Sequence, residues 1–354
     1  MQRLIIAALA CLFLAVGLLA GSDEHALSAS IETTLNTEGN NIRQFALDGD
    51  PNTYFASARN PSRADHFTLV FDKRVALNAV KVTTGRPDGS DKLDDGRLET
   101  STDGKSFRAC GRFQGGVADM DKPNRGVIAI RVRPSTDLNH PLAIREFKIE
   151  SDPPIAVFKY PVEFVIDVGD APDMRRWAEN VARVCERAYP MINEELRSQG
   201  FKPTTRIDLA MKEDYQGVAA TSGYRITGSV KYFRSHPNDV GAMIHETVHA
   251  VQRYQGRNNP GWLIEGIADY IRFFKYEPGH LGRIDASRAH YDGSYRVTAA
   301  FLAYLTKKYD KELVRKLNKR LREGAYDPEV FRELTGKPLE TLDTDWRATL
   351  RKNR

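Results

Sequence analysis

His245-Glu246-Thr247-Val248-His249, followed by Glu265-Gly266-Ile267-Ala268-Asp269, is the stretch that decides how the C-terminal half of this chain is read. An α-helix turns once in about 3.6 residues, so His245 and His249 stand one above the other and both rings can reach one ion. Glu246 projects from the flank of that face, where it can touch a water beside the ion without ligating it. Two imidazoles and a carboxylate, with a fourth position left open, form one of the donor sets of catalytic zinc. Spacing alone admits either Glu265 or Asp269 as third ligand, with the other in support, because they lie one helical turn apart.

The flanking residues predict two helices. Asn238 and Asp239 are expected to cap the first, after Pro237. Val240, Met243, Ile244, Val248 and Val251 recur at helical spacing as a buried stripe, and Gly256 is expected to end the helix in a left-handed cap. The second helix is expected from near Pro260, with Ile264, Ile267, Ala268, Ile271 and Phe274 as its apolar face.

Outward from this site, the 354 residues are 41% hydrophobic, enough for two globular domains with cores of their own. One positive charge at Arg3, an apolar run from Leu4 to Ala20 and small residues at Ala20-Gly21-Ser22 form the layout of a signal peptide over 1–22. A secreted or extracellular protein is expected, at the cell surface or in a periplasm, with no stable membrane insertion once the signal is cleaved. Cys110 and Cys185 remain, too few for a disulfide framework, and their pairing is left open. The net charge of +5 is modest, and no nucleic-acid partner is expected. The basic stretch Lys307, Lys308, Lys311, Arg315, Lys316, Lys319, Arg320 and Arg322 is interleaved with Leu313, Val314, Leu317 and Leu321. It therefore reads as the solvated face of a docked helix.

Residues 27–151 read as an all-β sandwich. Phe67–Phe71, Val80–Val82, Val127–Val132 and Ile144–Ile149 are short, broadly alternating strands, separated by turn signals at Asp88-Gly89, Asp94-Asp95-Gly96 and Asp103-Gly104. Ala46-Leu47-Asp48-Gly49-Asp50-Pro51-Asn52-Thr53-Tyr54-Phe55, Ser101-Thr102-Asp103-Gly104-Lys105-Ser106-Phe107 and Pro141–Phe147 carry a resemblance to the discoidin or coagulation-factor C-type modules. Those are jelly-roll sandwiches related to galactose-binding carbohydrate modules. The resemblance implies a glycan or glycoprotein partner and a structural calcium ion on Asp48, Asp50, Thr53 and Glu146, an oxygen-rich set suited to calcium. Tyr54, Phe55, Arg59, His66 and Phe113 are the candidate glycan contacts, with Tyr54 and Phe55 also matching the buried aromatics of such modules.

A linker is expected at Ser151-Asp152-Pro153-Pro154, since paired prolines do not continue a sheet. Residues 152–354 then read as mixed α and β: strands at Val162–Ile166 and Arg206–Ala210, a helix over Met174–Arg197, and a strand over Gly228–Phe233. That last strand is expected to be the edge that pairs with an extended substrate.

His245 to Gln252, Pro260 to Arg272 and Tyr295 to Leu302 resemble the basic secretory protein family of secreted zinc peptidases, an α+β, zincin-like fold. Ser294 departs from the pattern, standing where that family has glycine before the tyrosine. The resemblance implies hydrolysis of protein or peptide substrates on Zn2+ held by His245, His249 and Glu265, the ligand that comparison with glutamate-type zinc peptidases favours. Glu246 would be general base and then acid, and Asp269 would accept a hydrogen bond from a ligating histidine. Tyr295 is the candidate oxyanion donor, with Tyr270 and His290 behind it. The competing reading is a non-catalytic surface- or glycan-binding protein whose zinc site is structural or has lost its activity; an intact Glu246 argues against it, because a structural site has no use for that carboxylate. A third keeps the zinc chemistry but directs it at an amide of a cell-wall polymer.

Overall fold

Alternating apolar residues build the N-terminal half of the computed structural model, which describes residues 26–254, 258–293 and 295–352. The N-terminal apolar run, Gly256 and Ser294 lie outside the described residues. Eight strands form the first domain: β1 (Ala29–Thr33), β2 (Phe55–Ala56), β3 (Phe67–Thr84), β4 (Gly96–Ser101), β5 (Arg108–Arg112), β6 (Val117–Asp119), β7 (Asn124–Pro134) and β8 (Ala143–Asp152). The expected strands at Phe67–Phe71 and Val80–Val82 are one continuous β3. Its first part pairs with β1 and β7, and after two register shifts between Val70 and Leu77 its second part pairs with β8 and β6. Bulges of this kind bend a strand, and here they let β3 serve both leaves of a sandwich.

Phe55, Phe67 and Phe147 fill the space between the leaves, with ring centroids 4.9 and 6.1 Å apart, beside fully buried Leu69, Val82, Val132 and Ile144. Gly89 and Gly104 take the positive φ their turns require. Gly96 does not turn: it lies in β4, where an added Cβ would stand 2.5 Å from Leu93. Close packing, not turn geometry, is why that glycine is there.

The second domain lays helices on a four-stranded sheet. In chain order its elements are β9 (Glu163–Asp167), α1 (Arg175–Glu195), β10 (Arg206–Lys212), β11 (Ala219–Ser222), β12 (Arg225–Ser229), α2 (Val230–Ser235), α3 (Val240–Gln252) and α4 (Gly261–Ile271). They are followed by α5 (Tyr295–Lys308), α6 (Leu313–Arg322), α7 (Glu329–Thr335) and α8 (Leu339–Lys352). The sheet order is β11-β12-β10-β9, parallel except for the antiparallel edge strand β11. The expected strand over Gly228–Phe233 is therefore corrected. Ser229 ends β12 and its hydroxyl accepts from the Tyr232 amide, so Val230–Phe233 turn into α2. β12 is internal; the edges are β11 and β9, and β11 is the edge that lines the cleft.

The linker also begins later than expected, because Ser151 and Asp152 still belong to β8. The domains meet through a buried polar network. Glu163, at the start of β9, accepts from the Thr37 hydroxyl at 2.8 Å and the Arg43 amide at 3.1 Å. The Arg43 guanidinium lies 3.3 Å from Glu163 and 3.3 Å from Glu186 of α1, which Arg183 also meets at 2.7 Å. The Val162 amide donates to Gln44. Buried charges persist only when paired, so this network fixes the two domains against each other. Among the described residues no helix is long and apolar enough to cross a membrane. Cys110 and Cys185 are free thiols, raised by burial to about 11 and about 12.

Candidate metal centre

Helix α3 carries the site on one face and the core on the other. Met243, Ile244, Val248 and Val251 are buried, Val240 half-buried, and the opposite face presents His245, Glu246 and His249 to a cleft of about 1000 Å³. Its ends differ from expectation. Asp239 stands at the N-cap but makes no side-chain cap bond; it accepts instead from Tyr232 at 2.7 Å and Arg272 at 2.6 Å. At the other end the left-handed residue is Arg253, earlier than Gly256. The last carbonyls of α3 are held by Arg322, whose guanidinium reaches Val251 at 2.7 Å, Gln252 at 3.0 Å and Leu196 at 2.6 Å while stacking on Phe201. The rest of the basic stretch fits expectation, since Leu313, Val314, Leu317 and Leu321 are buried; Arg322 departs from it by turning inward to these carbonyls.

Helix α4 begins after Pro260, buries Leu263, Ile267, Ala268 and Ile271, and aims Glu265 and Asp269 at α3. Phe274, expected on its apolar face, falls in the wider turn Arg272–Tyr276 that follows. Gly266 is required at the α4–α5 crossing, where a Cβ would stand 2.1 Å from Thr298.

The Nε2 atoms of His245 and His249 are 3.0 Å apart, and each is 3.1 Å from Oε2 of Glu265. That triangle is close to the roughly 3.3 Å separations implied by tetrahedral bonds of about 2.0–2.1 Å to zinc. Among the described residues it is the group of His, Cys, Asp or Glu side chains able to hold an ion. Asp269, 5% exposed, accepts from Nδ1 of His245 at 2.7 Å, on the far side of the ring from the triangle, whereas Glu265 stands in the triangle itself. Gln252 does the same for His249, its Oε1 2.7 Å from Nδ1 while its amide donates to the Ile264 carbonyl. Both rings are thus locked with Nε2 facing inward.

Burial opposes charge on His245, yet the carboxylates of Asp269 and Glu265 outweigh it and raise its pKa to about 9. Burial also pushes Glu265 up, but hydrogen bonds from the two imidazoles bring it down to about 2. Two imidazole nitrogens and a carboxylate oxygen facing one point form a donor set that fits zinc.

Glu246 is 7% exposed and lies outside the triangle; its Oε2 accepts from Thr221 of β11 at 2.7 Å. Thr221 also bonds the Glu246 carbonyl at 2.9 Å, tying the edge strand to α3. Tyr295 opens α5 at the mouth of the cleft, 52% exposed, its ring 6.0 Å from that of His245. Its phenol is raised by the charge of Glu265 and then by burial. Tyr270 and His290 do not line the cleft: Tyr270 is buried against Phe274, and His290 faces Asp292 and Asp343. Thr221, Gln252 and Arg322 escaped sequence reasoning. Only Gln252, three residues beyond His249 on the same face, left a readable signal.

In the first domain, Asp48 and Glu146 face each other across the Gly49 amide, which donates to Glu146 at 3.1 Å. Thr53 bonds the Asp48 carboxylate at 2.9 Å, but the Asp50 carboxylate turns away to Asn52 and only its carbonyl faces Thr53. Burial and then the Asp48 charge raise Glu146 to about 7. The aromatic platform is not assembled. Phe55 and Phe113 are buried, Arg59 is paired with Asp65, His66 meets Thr68, and Tyr54 lies under Arg86.

Residues 163–346 match the family model BSP, described as a peptidase of plants and bacteria. A search of curated proteins returns no match. Among solved structures, CBM32-1 from a family 31 glycoside hydrolase of Clostridium perfringens is 18% identical, over 34% of this chain and 92% of that one, with a TM-score of 0.31. The family 32 CBM of C. perfringens NanJ, in complex with galactose, is 16% identical over 34% and 92%, with a TM-score of 0.29. The CBM32-1, CBM32-2 and M60 catalytic domains of C. perfringens ZmpB are 13% identical over 34% of this chain and 14% of that one, with a TM-score of 0.30.

Proposed function

The chain belongs to the BSP family, peptidases of plants and bacteria, and from that premise we propose that it is an exported zinc-dependent endopeptidase. The observation that carries the reading is the His245–His249–Glu265 triangle with Glu246 beside it and outside it. A zinc ion held by those three residues supplies Lewis acidity, lowering the pKa of water toward 7 and polarising a carbonyl oxygen. Glu246, steered by Thr221, takes the proton of the attacking water and returns it to the departing amine. Tyr295 donates a hydrogen bond from its phenol to the oxygen on which charge develops. β11 offers its free edge to an extended substrate. Asp269 and Gln252 keep the two rings from turning.

The ligand assignment has a direct test. Glu265→Gln is expected to lose stoichiometric zinc, whereas Asp269→Asn is expected to keep the stoichiometry and weaken affinity by about 10–100-fold, read by chelator competition. Equal loss in both variants would overturn the division of roles.

The first domain is proposed to dock the enzyme on glycan or glycoprotein, following the resemblance of its loop and strand motifs to discoidin modules. A glycan array with the full chain tests this: binding to no glycan removes it. A calcium ion between Asp48 and Glu146 is proposed to stabilise that domain. Folded Glu146 titrates near 7, above its unfolded value, so the folded state binds more protons and stability falls as pH rises from the ordinary carboxylate range to about 7. Calcium at pH 8 is expected to raise the midpoint by about 5 °C. Glu146→Gln is expected to be more stable than wild type without calcium at pH 8 and unresponsive to it. A wild type indifferent to calcium would end the assignment.

A further inference from the structure

The cleft runs along α3, and its two ends carry arginines of a different kind from Arg272. Arg272 is neutralised, 2.6 Å from Asp239 and 2.6 Å from Glu277. Arg253 and Arg296 also line the cleft, but among the described residues neither guanidinium has a carboxylate partner.

Arg253 terminates α3 with φ 47° and ψ 43°, a left-handed conformation that glycine adopts without penalty and arginine does not. An observed outlier of this kind at a site invites a functional reading. Its side chain lies over the Tyr224 ring, 4.2 Å from the centroid, near Gly223 in the turn that joins β11 to β12. Arg253 therefore stands at the tip of the free edge strand. Arg296 stands at the opposite end, next to Tyr295 on α5. It lies over Phe273 at 4.9 Å, close to Tyr232, whose hydroxyl is bonded to the N-cap residue Asp239. Between the ends lie the thirteen residues of α3, a separation of about 20 Å at 1.5 Å per residue, with the histidines in the middle. An extended peptide covers that distance with about six residues. The carboxylates between, Glu246, Glu265, Asp269 and Asp239, are each engaged with Thr221, the histidines, or Tyr232 and Arg272. Arg253 and Arg296 are thus the arginines of the cleft with no carboxylate partner among the described residues, one toward each end.

We propose that the cleft selects peptides with acidic side chains on both sides of the scissile bond, Arg253 reading one side and Arg296 the other. This rests on the peptidase reading of the cleft. The test uses four quenched octapeptides with one central sequence: glutamate toward both ends, toward the N-terminal end alone, toward the C-terminal end alone, or glutamine at both. Each is measured twice, as kcat/KM of the zinc-loaded full chain and as binding to zinc-loaded Glu246→Gln. The doubly acidic peptide is expected to exceed the glutamine peptide by about tenfold or more in both readouts, less at high salt. Arg253→Gly is expected to lose the preference at one end only while folding at least as stably, because glycine suits the left-handed cap. Arg296→Gln is expected to lose it at the other end.

Cleavage and binding of all four peptides alike would overturn the proposal and leave the peptidase reading intact. Selective binding of the acidic peptides with no cleavage by wild type would support the charge reading and remove the peptidase one. An Arg253→Gly protein that keeps the full preference would overturn the role of Arg253 directly.

Discussion

Glu246→Gln is expected to keep one zinc per chain and to lower kcat/KM for peptide hydrolysis by about 10³–10⁴-fold. That size reflects proton transfer by a positioned group, which contributes about 10²–10⁴, and the same carboxylate serves twice, as base toward water and as acid toward the amine. The separation of effects follows from geometry. Glu246 lies outside the ligand triangle and bonds Thr221, so replacing a carboxylate oxygen with an amide nitrogen leaves the three donors in place. Glutamine fits the same space, so the fold is expected to survive. Zinc content and single-turnover hydrolysis on one preparation check both halves. A fully active Glu246→Gln protein would remove the mechanism, and one that had lost zinc would place Glu246 among the ligands.

The second large effect concerns the join between the domains. Removing the Arg43 side chain leaves Glu163 and Glu186, each 7% exposed, without a shared cation. Burial already pushes Glu186 upward against the pull of Arg183 and Arg43. Breaking a buried pair by deleting one partner costs about 3–5 kcal/mol, because the uncompensated charge stays behind. In calorimetry Arg43→Ala is expected to lower the midpoint by roughly 10 °C and to split one transition into two as the domains part. A single, unmoved transition would mean that the network does not couple the domains.

What could be read in the sequence was what is local. The histidine face and the buried stripe of α6 follow from a 3.6-residue period and the start of α4 from Pro260, and their residues lie within a few turns of one another. The sandwich was legible by alternation, although joining two expected strands into β3 needed the bulges. Other parts depended on distant partners. Asp239 carries a capping side chain, but Arg272 and Tyr232 offer it stronger bonds than the helix end does. Val230, Tyr232 and Phe233 favour strands as residue types, yet Ser229 caps them into a helix turn, and that cap was itself readable. Thr221 reaches Glu246 from a strand twenty-five residues earlier, and Arg43 reaches Glu186 across 143 positions. No periodicity encodes such pairs. Spacing left Glu265 and Asp269 equivalent because both face α3; the His245 ring sets Glu265 on its Nε2 side and Asp269 on its Nδ1 side.

We propose that this chain hydrolyses peptide bonds through one zinc ion at His245, His249 and Glu265. The most direct measurement strips the purified full chain with a chelator, restores zinc in steps, and follows bound metal and cleavage of a diverse quenched-peptide library together. The expected result is no cleavage by the stripped protein, and activity that rises in proportion to zinc and saturates at one ion per chain. A protein that holds one zinc at this site and cuts no peptide in the library, or one that cuts equally well without metal, would contradict it.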